Sequence, residues 1–313
     1  MTSTETPTGT DAPPPLPAGS WVGALVEGAG VELIAFDAEG RAGATASARM
    51  TGADLAAPGN ALARMAATLD PRARLVLTAG WPPLPSDTGQ PAQDADLAAV
   101  PAQPVPCPPL GNPPRTVALK VDSDAPSLTV LALPPIGQRS PLDLMGAASI
   151  RIAGLLAQRP EFDGVVCLPG GRNYWAHISA GEVVSFQGFL AQDLMDALSP
   201  AAGRDDDPAD SAFQTAFDTA LADIQSRPER LAATLHRALL DPATARATLR
   251  GALIGAELSA ARPYWLGQQV VVLTDGPTAE VYARALDAQG AGAELVSGRR
   301  MAMLGLAAAR ARL

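Results

Sequence analysis

The sequence predicts an α/β protein built as two lobes. Three observations carry that expectation: apolar segments broken by glycine turns in both halves of the chain, a proline-dense stretch between them, and a strand–helix–strand–helix succession at the C-terminus. The lobes are expected at residues 20–140 and 141–313, the second more helical, behind a leader of residues 1–19. That leader, within "MTSTETPTGTDAPPPLPAGS", is acidic, rich in Pro and Thr, and lacks the basic and apolar regions of a signal peptide. It reads as disordered.

Composition narrows the functional classes. Of 313 residues, 47% are hydrophobic but only 4% aromatic, so helices are expected to pack closely over small side chains. A net charge of −9 argues against nucleic acid and anionic membrane as partners. No apolar run reaches the roughly 18 residues that span a bilayer. Cys107 and Cys167 are too few for a disulfide framework or a cysteine zinc site, which fits a reduced cytoplasmic compartment. With His177 and His236 the only histidines, no His-rich metal site is expected, and both read as structural or exposed.

Along the chain, "WVGALVE" and "VELIAFD" flank Gly28-Ala29-Gly30 and predict a hairpin. "APGNALARMAATL" predicts a helix and "ARLVLTAG" a strand. Residues 81–114 read as loop, since proline denies both helix and central strand. "TVALKV" and "LTVLALP" predict two further strands. "PLDLMGAASIRIAGLLAQRP" predicts one helix from Pro141, near N1, to Gln158. "VVCLPGGRNYWAHI" predicts strands on either side of Gly170-Gly171, and "EVVSFQG" should pair with "YWAHI" through Ala180-Gly181. Helices follow around "FLAQDLMDALS" and over 211–225, 228–239 and 243–262, with "AAGRDDDPAD" an exposed acidic loop. "QQVVVLTDG", "PTAEVYARALDAQG", "AELVS" and "RRMAMLGLAAARARL" then alternate strand and helix, with Gly290 as a helix stop.

Several residues invite a chemical reading, each with a plainer one beside it. Gly170-Gly171 is a simple hairpin turn or a place where backbone amides meet a phosphate. Arg172 is a solvated turn residue or a bidentate phosphate ligand. Thr274 and Gly276 stand at a strand-to-helix corner, where α/β folds bind ligands; Asp275 reads as an N-cap of the helix that follows. Asp193 is a dipole-favoured acid at a helix start or a base toward a hydroxyl. Glu257, on a helix of small apolar residues, faces a cleft or bonds a neighbouring element. Gly251 and Gly255, four apart, suit close helix packing. Tyr174 and Trp175 must point to opposite faces of their strand, one to the core.

In order, "LPGGRNYW", "GALIGAELSAARPYW", "VVLTDGPTAEVYARALDAQG" and "AMLGLAAAR" resemble the 2-dehydro-3-deoxygalactonokinase family over roughly residues 20–313, most strongly after 140. The resemblance implies the two-lobed actin/hexokinase-type (ribonuclease H-like) ATPase fold. It also implies ATP-dependent phosphorylation of 2-dehydro-3-deoxy-D-galactonate, with Mg2+ as the companion ion. It places Gly170, Gly171, Arg172, Thr274 and Gly276 at the nucleotide, with Gly276 toward the adenosine. Asp193 is left as the candidate base.

The departures are specific. A family pattern like "AIDWGSTNLRA" stands here as "GALVEGAGVELIA", so Leu25 replaces the acid, Glu27 a glycine, and Gly28-Ala29 the hydroxyls. "PGTHSKW" becomes "PGGRNYW"; "MRGEETQ" becomes "LMGAASI", with Ala147 and Ala148 for two acids; "MTGEL" becomes "LAQDL". The loop beginning "AGWPPLPSDTG" is rewritten as well. A kinase fold with weak or lost activity is expected, without metal ligands unless Glu27 substitutes as the acid; with Leu25 where the acid would stand, a cleft lined only by Leu25, Gly171, Ala147 and Ala148 would count against activity. The alternative is a non-catalytic relative that binds a sugar acid or a protein partner. A homodimer through the alanine-rich face of 243–262 and an interior place for that helix explain the segment equally well.

Overall fold

The computed structural model describes residues 16–80, 102–124, 126–198 and 209–313. The rewritten loop, the "AAGRDDDPAD" segment up to residue 208, and leader residues 1–15 lie outside the described residues.

The first hairpin forms as its glycines require. β1 (Trp21–Glu27) and β2 (Gly30–Phe36) pair antiparallel from Trp21↔Phe36 to Glu27↔Gly30. Gly28 turns the chain at φ +59°, a conformation that suits glycine at the first position of a two-residue turn. β3 (Ala42–Arg49), unforeseen, extends the sheet on β2; its mostly exposed Ala, Ser and Thr leave no apolar alternation to read. α1 (Gly52–Ala56) opens with a capping box of Thr51 and Asp54, and α2 (Pro58–Leu69) begins on Pro58. β4 (Leu75–Ala79) runs parallel to β1.

Inside the expected loop, β5 (Gln103–Pro104) forms a short parallel pair, and Cys107 exchanges backbone hydrogen bonds with Val183. β6 (Val117–Leu119) and β7 (Thr129–Ala132) complete a six-stranded sheet in the order β3-β2-β1-β4-β7-β6.

The helix expected from Pro141 starts later. β8 (Ile136–Arg139) and β9 (Leu142–Met145) form a hairpin, and α3 covers only Ala148–Gln158. "LDLM" alternates in a way that satisfies a strand as well as a helical turn, and pairing with β8 decides the matter. β10 (Gly164–Leu168), β11 (Asn173–Ser179) and β12 (Glu182–Phe189) follow as expected, turning at Ala180 (φ 51°) and Gly181 (φ 79°).

α4 (Ala191–Leu198), α5 (Ser211–Ser226), a 3-10 turn at Pro228–Arg230, α6 (Leu231–Ala238), α7 (Ala245–Ala260) and α8 (Arg262–Trp265) build the helical part. β13 (Val270–Leu273), α9 (Pro277–Asp287), β14 (Ala293–Val296) and α10 (Gly298–Arg312) close the chain. The second sheet has the order β12-β11-β10-β13-β14. Its first five-strand pattern, two antiparallel neighbours and then two parallel ones, repeats that of β3-β2-β1-β4-β7.

α2 covers one face of the first sheet, and α5, α7 and α9 one face of the second. α3 and α10 lie between the sheets and contribute to the core of both. Their crossing is tight: a Cβ on Gly154 would stand 1.9 Å from the Met301 carbonyl, and one on Gly305 1.9 Å from that of Ile150. α7 is interior, its Gly251 and Gly255 closing on the Phe217 and Leu221 carbonyls of α5. The face weighed for a dimer is therefore spent on packing within the chain. At the far end of α10, Arg310 Nη2 donates to the Pro17 carbonyl at 3.0 Å.

Gly154→Ala and Gly305→Ala should each destabilise the protein by about 1–3 kcal/mol or more, because backbone on the facing helix has to move. Gly52→Ala, with open space around it, should stay within about 0.5 kcal/mol. Urea unfolding of the three variants checks this; equal midpoints would contradict it.

Candidate functional site

β1 alternates across its sheet: Val22, Ala24 and Val26 face the α2 side, while Trp21 and Leu25 face α3 and α10. Glu27 ends the strand two residues past Leu25 and so points to the same side. There it enters a cleft between the two hairpin tips, around a cavity of about 100 Å³. Gly171, Arg172 and Tyr174 line it from the second hairpin, Ala147 and Ala148 from the start of α3, and Asp193 from α4. Gly80 and Gly146 also line it, their backbones so close that a Cβ on Gly146 would stand 2.8 Å from the Gly80 Cα.

Glu27 is the centre of the cleft's polar chemistry. Arg151 Nη1, from α3, donates to Glu27 Oε1 at 2.7 Å, and the Gly171 amide donates to Oε2 at 2.9 Å. The two side chains are only 27% and 14% exposed, and charge-assisted bonds of this kind contribute about 1.5–3 kcal/mol each. Burial alone would push the Glu27 carboxyl up. The Arg151 charge, the Gly171 amide and the Arg151 hydrogen bond outweigh it and hold the group below its ordinary value.

Arg172 faces Asp193, Nε to Oδ2, at 3.7 Å. Burial pushes the Asp193 carboxyl up; Arg172 opposes the shift and Asp196 adds to it. Tyr174 donates its hydroxyl to the Leu144 carbonyl at 2.9 Å, and burial pushes the phenol up to about 12. Asp143 accepts from the Gly188 amide at 2.6 Å and fastens β9 to β12 beside the cleft.

Beneath the second hairpin lies a buried carboxylate with three donors. Glu257 accepts from Trp175 Nε1 at 2.9 Å, Asn173 Nδ2 at 2.8 Å and the Tyr282 hydroxyl at 3.0 Å. Asn173 in turn accepts from the Gly170 amide at 3.1 Å. The network ties the turn to α7 and α9. Burial pushes the Glu257 carboxyl up despite those donors.

The sequence-predicted residues thus divide. Gly171, Arg172 and Asp193 meet at the cavity, and Gly170 adjoins it, a Cβ there standing 3.1 Å from Glu27 Oε2. Thr274 and Gly276 do not line it: the Thr274 amide and carbonyl pair with Val296 and Gly298, and Gly276 is the N-cap of α9 at φ 62°. Two expectations are corrected. Leu25 does not line the cleft but is buried at 2% in the core, because its side of β1 is covered by α3 and α10. Asp275 caps α10 rather than the helix that follows it, accepting from the Ser297 hydroxyl at 2.6 Å and the Arg299 amide at 2.8 Å. Of the two readings of Glu257, the bond to neighbouring elements is the one the structure shows: it is 2% exposed within the core and accepts from β11 and α9. Tyr174 and Trp175 do divide between cleft and core. Sequence reasoning missed Arg151, an ordinary helix arginine until the fold brings it to Glu27.

A magnesium ion does not fit these side chains as they stand. Glu27 is bonded to Arg151 and to an amide, Asp193 faces Arg172, and no group of three His, Cys, Asp or Glu able to hold a metal occurs among the described residues. Among them, too, no helix is long and apolar enough to cross a membrane.

Comparison with known proteins gives the cleft its context. The family model for 2-keto-3-deoxy-galactonokinase matches residues 80–309. A Sinorhizobium meliloti structure, provisionally described as a 2-dehydro-3-deoxygalactonokinase, superposes with a TM-score of 0.71 at 21% identity, covering 92% of this chain and 97% of its own. A Clostridium difficile activator of 2-hydroxyisocaproyl-CoA dehydratase, solved with ADPNP, gives 0.47 at 12% identity over 94% of each chain. A Streptomyces griseus ROK family glucokinase, solved with glucose and AMPPNP, gives 0.42 at 11%, over 94% of this chain and 100% of its own. No curated protein matches. The architecture is the two-lobed actin/hexokinase-type ATPase fold.

The carboxyls of the half-buried Glu27 and the buried Glu257 should act oppositely on stability. Glu27, held below its ordinary 4.5, stabilises the fold above that pH, and the contribution is lost as pH falls through its folded value. Glu257, held above 4.5, lowers stability as pH rises from there toward its own folded value. Unfolding free energies measured across this range should show Glu27→Gln removing the acid-side loss and Glu257→Gln the loss above it. Unchanged pH slopes in either variant would refute its half.

Proposed function

The chain belongs to the 2-keto-3-deoxy-galactonokinase family, and from that premise we propose that it is a sugar-acid kinase relative in which phosphoryl transfer is weak or lost. The ancestral reaction would be transfer from ATP to 2-dehydro-3-deoxy-D-galactonate. One observation carries the reading: the glycine-turn amide that should meet a nucleotide phosphate is bonded to Glu27 of the same chain. A carboxylate there repels phosphate oxygens, and phosphoryl transfer depends almost wholly on positioning and on stabilising that negative charge.

The surrounding residues support the same conclusion. Leu25 is core, so no acid stands at that point of β1, and Ala147 and Ala148 offer the cleft only methyl groups. The polar groups that remain, Arg172, Tyr174 and Asp193, suit hydroxyls and a carboxylate better than a metal–polyphosphate. Binding of a sugar acid is therefore the property we expect to persist. Asp193 is the candidate base only if its pairing with Arg172 opens.

Calorimetric titration with ATP and magnesium, with and without 2-dehydro-3-deoxygalactonate, tests the proposal beside a phosphotransfer assay. The expected result is binding of the sugar acid alone, with no magnesium-dependent heat from ATP and no phosphorylated product. Magnesium-dependent ATP binding strengthened by the sugar acid, with product formed, would overturn it.

A further inference from the structure

Both oxygens of the Glu27 carboxylate are used, one on a guanidinium and one on a backbone amide at a glycine turn. That is how a small oxyanion is held. The seat is shaped for it: a Cβ on Gly170 or Gly171 would stand 3.1 or 3.3 Å from Glu27 Oε2. We propose that the Gly171 amide and the Arg151 guanidinium form an oxyanion site that Glu27 fills from within, and that a phosphate-class anion enters only by displacing that carboxylate. The inference rests on the reading above, that the cleft descends from a nucleotide and sugar-acid site.

The neighbouring charges show why the site would need an anion once Glu27 left. The Arg151 side chain is 14% exposed, too enclosed for water alone to solvate it well. Two other acids influence it, Glu32 and Asp275, and both have partners. Glu32 lies 3.7 Å from Arg299, and Asp275 holds Ser297 and the Arg299 amide. Arg172 adds a second positive charge at the rim of the same cavity, only loosely engaged by Asp193 at 3.7 Å. Removing the Glu27 carboxylate therefore leaves a guanidinium and an amide together without their acceptor. Because Glu27 comes from the first hairpin and Gly171 from the second, the internal occupant also clasps the two lobes, and an entering anion exchanges that clasp for itself.

The test is calorimetric titration of the full chain with pyrophosphate in the absence of magnesium, on wild type, Glu27→Ala, Glu27→Gln and the double variant Glu27→Ala/Arg151→Met. Glu27→Ala should bind about tenfold tighter than wild type or better, a difference of about 1.4 kcal/mol. The double variant should lose the gain. Equal affinity in wild type and both single variants overturns the proposal, as does a gain that survives loss of Arg151. Should Glu27→Ala fail to melt cooperatively, Glu27→Gln, which keeps the side-chain volume, decides by the same comparison. Malonate in place of pyrophosphate separates the chemistry: a gain confined to malonate overturns the phosphate class. Phosphotransfer by wild type would refute the loss of catalysis, while the pyrophosphate comparison alone judges the displacement.

Discussion

The close crossing of α3 and α10 is the constraint on which the rest of the molecule depends. Gly154 and Gly305 let each helix press against the other's backbone, and Gly23 lets Leu306 of α10 seat on β1, where a Cβ would meet its Cδ1 at 2.5 Å. The pair contributes to both cores described above, so its spacing helps set the distance between the sheets. Ile150 makes the contact with Gly305, and the next residue is Arg151. The position of the guanidinium in the cleft is thus inherited from helix packing rather than from any local turn. Close-packed interiors transmit such displacements instead of absorbing them.

Much of the scaffold was legible in the sequence because its signals are local. Glycine turns and apolar runs announce β1, β2, β10, β11 and β12, and alternating strands and helices announce the end of the chain. What escaped was governed by partners distant in sequence. β3 carries Ala, Ser and Thr with little buried face, so only pairing with β2 makes it a strand. Residues 142–145 fit two periods, and β8 chose between them. Asp275 could cap either of two helix starts, and only the fold brings Ser297 beside it.

The apolar residues of the cleft were legible in the sequence, but its polar contact was not. Reading Leu25, Ala147 and Ala148 against a family pattern shows apolar residues where that pattern has acids. Nothing in the spacing of Glu27, Arg151 and Gly171 shows them meeting, since Glu27 and Gly171 lie 144 residues apart. Glu257 stood out as one acid on an apolar helix, yet its three donors come from β11 and α9 and were invisible until packed. Buried polar groups require partners, so an isolated one in a sequence marks a network without naming its members.

The repeated strand order of the two sheets gives the Glu27–Gly171 contact a further meaning. β1–β2 and β10–β11 are corresponding hairpins, and the contact joins their tips. Corresponding points of two similar halves that face one another sit close from the outset, so a bridge there needs no new loop and no insertion. One longer side chain on one tip is enough. A fold built by repeating a unit therefore offers, at its centre, a ready place for a contact that links its two halves.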